Sequence, residues 1–328
     1  MQIFPVSRAD SDQTLIKYLS RILPEAGSGF LFKQLRKKNI MLNDVKATGR
    51  EKLKAGDEIK IYMTDETIAT FSGKVSNSGI NSSLVDVSGY MQAFDRFGQP
   101  SVIYEDDNIL IFVKPSGVLS QKAKPEDLSA NEWMIGYLLK TGSKTTESLS
   151  KFTPSICNRL DRNTAGLMLF GKTVFGANLL NRIIKDRSLQ KYYRTVVFGR
   201  FDHEGNVESY LYKDERTNKV SLFDEPVPGA SLISADFTLV KYNPDKDLSE
   251  VEILLHTGKS HQIRAQLSYL DHPVYGDRKY SGEQSRNKGH GSHILVAYKL
   301  LFPELPDYPE LSEKEFSIDV GPYVNNLV

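Results

Sequence analysis

Two stretches of the chain concentrate residues able to do chemistry. The first is Asn158-Arg159-Leu160-Asp161-Arg162-Asn163-Thr164-Ala165-Gly166, running into the apolar Leu167–Phe170. A carboxylate beside arginines can form a covalent intermediate or stabilise developing positive charge. The same pattern also serves as a plain turn, with Asp161 accepting from nearby amides. The second is Leu254–Leu267, LLHTGKSHQIRAQL, followed by His272-Pro273-Val274-Tyr275-Gly276-Asp277. Ile263, Ala265 and Leu267 alternate with Gln262, Arg264 and Gln266, which in a strand places Arg264 on the polar face. In a helix that alternation carries no such meaning. Gly166–Thr173 matches the phosphate-loop pattern G-x-x-x-x-G-K-[ST]. Its middle, Leu167-Met168-Leu169-Phe170, reads as a buried strand, whereas a phosphate cradle needs a compact loop of exposed amides. Gly258-Lys259-Ser260 is weaker, because Ile253 stands where the first glycine should be. His256 and His261 are five residues apart and share no helix face, so they make no metal pair.

These groups need a scaffold, and 328 residues suffice for two or three domains. A chain of this size buries about three quarters of its unfolded surface. With 42 Lys+Arg against 41 Asp+Glu, the net charge of +1 excludes a uniformly basic coat but allows a local basic face. A single cysteine, Cys157, permits no intrachain disulfide and no cysteine-based zinc site. That usage suits a reducing compartment. No signal-peptide core and no bilayer-length apolar run is visible, so a soluble cytoplasmic protein is expected.

Residues 1–70 read as a small α/β unit. Leu15, Ile16, Leu19, Ile22 and Leu23 mark one helix face. A second helix is expected from Phe30 to Lys38, with Lys33, Arg36, Lys37 and Lys38 on its polar side. Residues 30–62 carry nine Lys/Arg against four acids. Such a run is either a solvated face or a phosphate-contacting surface. Residues 71–100, which include SGKVSNSGINSS and the Asn81–Ser83 sequon, read as a flexible linker. Residues 101–328 mix strands at Val102–Tyr104, Ile109–Val113, Leu189–Phe198, Ser234–Tyr242 and Glu250–His256 with helices at Asn131–Lys140 and Val174–Lys185. Strands without regular crossover helices predict an α+β fold.

The motifs, taken together, resemble the RluA-type RNA pseudouridine synthases. Asn158–Gly166 resembles their His-Arg-Leu-Asp-x-x-Thr-Ser-Gly signature, and HTGKSHQIRAQL with DHPVYGD resembles their Thr-Gly-Arg-Thr-His-Gln-Ile-Arg block. Lys114-Pro115-Ser116-Gly117 matches an early Lys-Pro-x-Gly motif. Lys191-Tyr192-Tyr193-Arg194-Thr195-Val196-Val197 matches a Lys-x-Tyr-x-Ala-x-Val strand, and His293–Pro303 a late one. Residues 12–70 are more loosely similar to a small ribosomal-protein-like RNA-binding domain. The resemblance implies a mixed, mainly antiparallel central sheet flanked by helices and loops. It implies that Asp161 is the essential aspartate, Arg264 its paired arginine, and Tyr193 the ring against a flipped base. It also places Arg159 near the RNA where the target base leaves the stack. Asn158 departs from the family's histidine, Lys259 from its arginine and Ser260 from its threonine.

Isomerising uridine adds and removes no atom overall, so the reaction asks for no cofactor and no metal. The expected partner is structured RNA, with large-subunit ribosomal RNA favoured and transfer RNA the alternative. The basic cluster at Lys33, Arg36, Lys37 and Lys38 would anchor it. A non-catalytic RNA-binding or ribosome-assembly factor is the rival reading, and the intact Asp161, Tyr193 and Arg264 argue against it.

Overall fold

The computed structural model describes residues 1–72, 85–214, 219–281, 292–325 and 327–328. An N-terminal unit comprises β1 (Gln2–Pro5), α1 (Leu15–Ile22), α2 (Ser28–Arg36), β2 (Ile40–Leu42), β3 (Val45–Lys46), β4 (Glu58–Ile61) and α3 (Asp65–Phe71). Its strands form an antiparallel sheet in the order β1-β4-β2-β3. Leu15 and Leu19 of α1, Leu31 and Leu35 of α2, and Ile40, Ile59 and Ile61 of the sheet are buried together as its core. The second helix lies two residues earlier than the periodicity indicates, and Lys33, Arg36, Lys37 and Lys38 are exposed on it and just past its end.

The rest of the chain begins with α4 (Ser88–Phe97), β5 (Ser101–Glu105), β6 (Ile109–Lys114), α5 (Ala130–Lys140) and α6 (Thr146–Lys151). It continues through β7 (Ser155–Ile156), β8 (Ala165–Gly171), α7 (Val174–Lys185), β9 (Gln190–Phe198), β10 (Gly205–Asp214) and β11 (Lys219–Phe223). Then come β12 (Ser231–Asn243), β13 (Leu248–Leu255), α8 (Gln262–Tyr269), β14 (Leu295–Leu301), β15 (Glu315–Ser317) and α9 (Gly321–Val324). One large sheet runs β11-β10-β12-β13-β9-β14-β8-β6-β5, with β15 beside β14 and β7 beside β8. Only the β14–β8 pair is parallel among the described pairs, so the sheet is mixed and mainly antiparallel, the α+β pattern expected.

Period-two alternation sorts β6 and β8 between two cores. Leu110, Phe112, Met168 and Phe170 pack with Trp133, Met134 and Leu138 of α5. Ile109, Ile111, Leu167 and Leu169 pack with Leu179, Leu180 and Ile183 of α7. This settles the phosphate-loop pattern. Leu167–Phe170 is fully buried strand, Lys172 Nζ is committed to Glu105 at 2.7 Å, and the Thr173 hydroxyl caps α7.

The flexible-linker expectation for residues 71–100 fails at α4. Tyr90, Ala93, Phe94 and Phe97 recur at i, i+3, i+4 and i+7, and that face packs against α5. A Cβ on Gly136 of α5 would stand 2.2 Å from the Tyr90 carbonyl oxygen, so the two helices meet through a glycine. Trp133 Nε1 donates to Gly98 O at 2.7 Å just beyond α4. Residues 73–84, with the Asn81–Ser83 sequon, lie outside the described residues. Among those described, no helix is long and apolar enough to cross a membrane.

Candidate active site

Asp161 sits on the turn that feeds β8, and its neighbours are pinned from both sides. Leu160 N donates to Ser120 Oγ at 3.0 Å, and Ser120 Oγ donates back to Leu160 O at 2.7 Å. Arg162 O accepts from Gly117 N at 2.9 Å and from Lys114 Nζ at 3.0 Å. Lys114 is wholly buried at the end of β6 and also donates to Pro115 O and Val118 O. Burial pulls its ammonium down to about 8, against the favourable pull of Asp161. The Lys-Pro-x-Gly segment is therefore structural, and what it braces is the Asp161 turn.

Arg264 arrives from the other half of the sheet. Its segment is helix α8, so the strand alternation read from the sequence does not apply; Gln262, Arg264 and Gln266 are all buried. The helix starts after His261, which holds a left-handed backbone at φ 57°. Arg264 Nε and Nη2 fork onto Asp277 at 2.6 and 3.0 Å, and Nη1 reaches Asp161 Oδ2 at 2.7 Å. Burial works against the guanidinium charge, but Asp277 and Asp161 outweigh it and hold Arg264 above its ordinary value. Burial likewise opposes the Asp277 charge, and the Arg264 fork holds that carboxyl below the usual range. A bidentate fork fixes orientation as well as charge.

Asp161, Tyr193, Arg159 and Arg264 all line one cavity of about 280 Å³. Tyr193 projects from β9, where it pairs with Ile253 and Ala297, and is only 7% exposed. Burial, and then the nearby Asp161 carboxylate, raise its phenol well above the ordinary range, so it remains neutral. The Asp161 side chain keeps 25% of its surface open. Lys33, Arg36, Lys37 and Lys38 lie on the N-terminal unit and not among the cavity residues.

The structure adds groups to which the sequence reading assigned no part in the site. His261 Nε2 stands 4.0 Å from Asp161 Oδ2, and its Nδ1 meets the Tyr280 hydroxyl at 2.8 Å. Burial, then the Arg264 and Lys279 cations, lower His261. The Tyr280 ring covers the Arg264 guanidinium at 5.2 Å. His293 Nε2 meets Thr164 Oγ1 at 3.0 Å, and burial pushes it down to about 4. His261 and Asp277 stand inside the quoted sequence blocks and could have been singled out there. Tyr280 carries no periodic signal.

Comparison with known proteins bears on this constellation. A family model described as RNA pseudouridylate synthase matches residues 108–269. An uncharacterized RNA pseudouridine synthase of Mycoplasma genitalium is 30% identical over 340 residues, covering 99% of this chain and 98% of that protein. The chain belongs to the RNA pseudouridine synthase family. Ribosomal large subunit pseudouridine synthase C of Rickettsia bellii is 27% identical, covering 89% of this chain and 92% of its own. The mitochondrial tRNA pseudouridine(32) synthase of Saccharomyces cerevisiae is 35% identical over 58% of this chain and 39% of its own length. The solved human RNA pseudouridylate synthase domain containing 4 shares the fold at a TM-score of 0.54 and 19% identity, over 71% of this chain and 92% of its own. As a pseudouridine synthase the chain is an isomerase, and the cavity with Asp161 is where its chemistry can be sought.

Proposed function

We propose that this synthase isomerises uridine in structured RNA, with Asp161 as its essential carboxylate and large-subunit ribosomal RNA as its substrate. The observation that carries this is the meeting of Asp161, Arg264 and Tyr193 in one cavity from elements far apart in the chain. Isomerisation breaks the bond between C1′ and N1, turns the base and joins C5 to C1′; C5 gives up its proton to solvent and N1 takes one up, so the atoms balance. The Asp161 carboxylate serves as nucleophile or as charge stabiliser beside the sugar or base. Arg264, itself held by Asp277, fixes that carboxylate in one orientation. Tyr193 offers a neutral ring against the base.

A base stacked in a helix cannot reach a concave site, so the target uridine enters extruded. Arg159, exposed at the cavity rim residues, contacts the RNA there. Lys33, Arg36, Lys37 and Lys38 bind phosphates elsewhere on the RNA, and two contacts in one chain raise each other's effective concentration. The name of the Rickettsia relative supports the ribosomal substrate, and that of the yeast relative keeps transfer RNA as the competing substrate.

The decisive variant is Asp161→Asn. It is expected to bind RNA normally and to lose more than about 10³-fold in pseudouridine formation, as removal of a reacting group does. Turnover within tenfold of the parent would overturn the role. Mapping pseudouridines in cells lacking the protein identifies the substrate: sites lost only from transfer RNA would overturn the ribosomal assignment.

A further inference from the structure

Beyond the Phe198 end of β9, three donor side chains converge. Asp202 and His203 lie in the connection from β9 to β10, and His272 lies three residues past the end of α8. His272 Nε2 stands 3.2 Å from Asp202 Oδ1, and His203 Nε2 stands 3.3 Å from the same oxygen. One donor atom from each residue falls within 4.8 Å of the others. None of the three lines the cavity.

The tautomer of His272 is decided by its other nitrogen. Nδ1 lies 2.9 Å from Phe198 O, and a carbonyl can only accept, so Nδ1 carries the hydrogen. On a neutral ring Nε2 then presents a lone pair to a carboxylate oxygen. Two electron-rich atoms at that distance require a cation between them, either a proton or a metal. A backbone carbonyl holding Nδ1 is also the usual outer support of a metal-bound imidazole. The two edges to Asp202 Oδ1, 3.2 and 3.3 Å, fit four-coordinate zinc, whose bonds of about 2.0–2.1 Å give donor–donor edges of about 3.3 Å.

The frame is fixed in advance. Phe201 packs edge-on against both imidazoles, its ring centroid 5.1 Å from that of His272 and 6.1 Å from that of His203. Gly199 N donates to Asp247 O at 2.9 Å, and Phe201 N donates to Ser249 Oγ at 3.0 Å. These bonds tie the connection to β13. On the other side, Pro273 O accepts from Phe198 N at 3.2 Å. The donors thus project from anchored backbone, with solvent open on the outer side for a water.

We propose that Asp202, His203 and His272 form a structural site for a zinc-class divalent cation, completed by solvent. The ion clips the connection after β9 to the segment that leads from α8 to Asp277. It takes no part in the isomerisation.

The test is titration of the full chain, free of any histidine tag, with zinc chloride near neutral pH in competition with a chromophoric chelator. One ion per chain with a Kd of about 10 μM or tighter is expected. Asp202→Asn and His203→Gln, both at exposed side chains, should each weaken binding at least about tenfold while leaving the circular dichroism spectrum and pseudouridine formation unchanged. Cobalt at the same site should give a tetrahedral absorption band. A Kd weaker than about 1 mM, or equal affinity in parent and variants, would show that protons alone, one in each N···O contact, hold the three groups and would overturn the proposal.

Discussion

Arg264 is the residue on which the site's electrostatics turn. Its guanidinium faces two carboxylates, of which Asp277 is fully enclosed and Asp161 is partly open. The enclosed partner takes the fork, and Nη1 is left to orient the Asp161 carboxylate. Beside this pair, burial favours the neutral forms of Tyr193, His261 and His293, and His293 shows the cost. Its folded value is about 4 because burial disfavours the charged ring, whereas an unfolded histidine titrates near 6.5. The unfolded chain therefore binds the extra proton first. Stability from this group is whole above about 6.5 and is lost as pH falls towards 4, by up to about 3 kcal/mol. Thermal melts between pH 7 and pH 4 should show a steep acid limb in the parent and a shallower one in His293→Gln. Parallel limbs in the two proteins would refute the assignment.

At the scale of elements, the periodicities that face a core were legible in the sequence and those beside biased composition were not. The unbroken apolar run Ile109–Val113 and the 3.6-residue repeat in Val174–Lys185 identified β6 and α7, because β6 is buried between two cores and α7 shows one apolar face to a core. The repeat Tyr90, Ala93, Phe94, Phe97 is as regular, yet the Ser/Gly/Asn run before it made the whole region read as linker. Gln262–Leu267 left strand and helix open, and the structure makes it helix. Both of its faces are buried, one side by Ile263 and Leu267 in the core and the other by the polar network of Gln262, Arg264 and Gln266, so no exposed face betrays a helix. Asp161, Arg264 and Tyr193 were found through motif likeness. Their mutual geometry depends on strand order, which no local pattern carries. The α4–α5 contact is open to test. Gly136→Ala should cost about 1–3 kcal/mol, because the added methyl meets the Tyr90 carbonyl, and should raise amide exchange throughout α4. A melting temperature equal to the parent's would mean that α4 is not seated on α5.

Over the whole molecule, the N-terminal unit rests on the larger body through a small set of contacts. The Arg8 guanidinium lies 4.5 Å from the Tyr308 ring centroid and 5.3 Å from that of Phe175, and its Nη2 donates to Asp307 O at 2.5 Å. Asn178 Nδ2 of α7 donates to Asp12 O at 2.8 Å. Replacing Lys33, Arg36, Lys37 and Lys38 together by glutamine should weaken RNA binding and flatten the salt dependence of log K by up to about 3 units of slope, with single-turnover chemistry on saturating RNA unchanged. An unaltered slope would make the cluster an ordinary solvated face. The position of β14 has a consequence for synthesis. It is the strand that joins β8 to β9, yet it is made well after both. A growing polypeptide on the ribosome thus holds two half-sheets with unfilled inner edges until residues 295–301 emerge. The Asp161 turn and the Tyr193 strand come into register through β14, so a nascent chain still lacking residues 295–301 is expected to leave them apart.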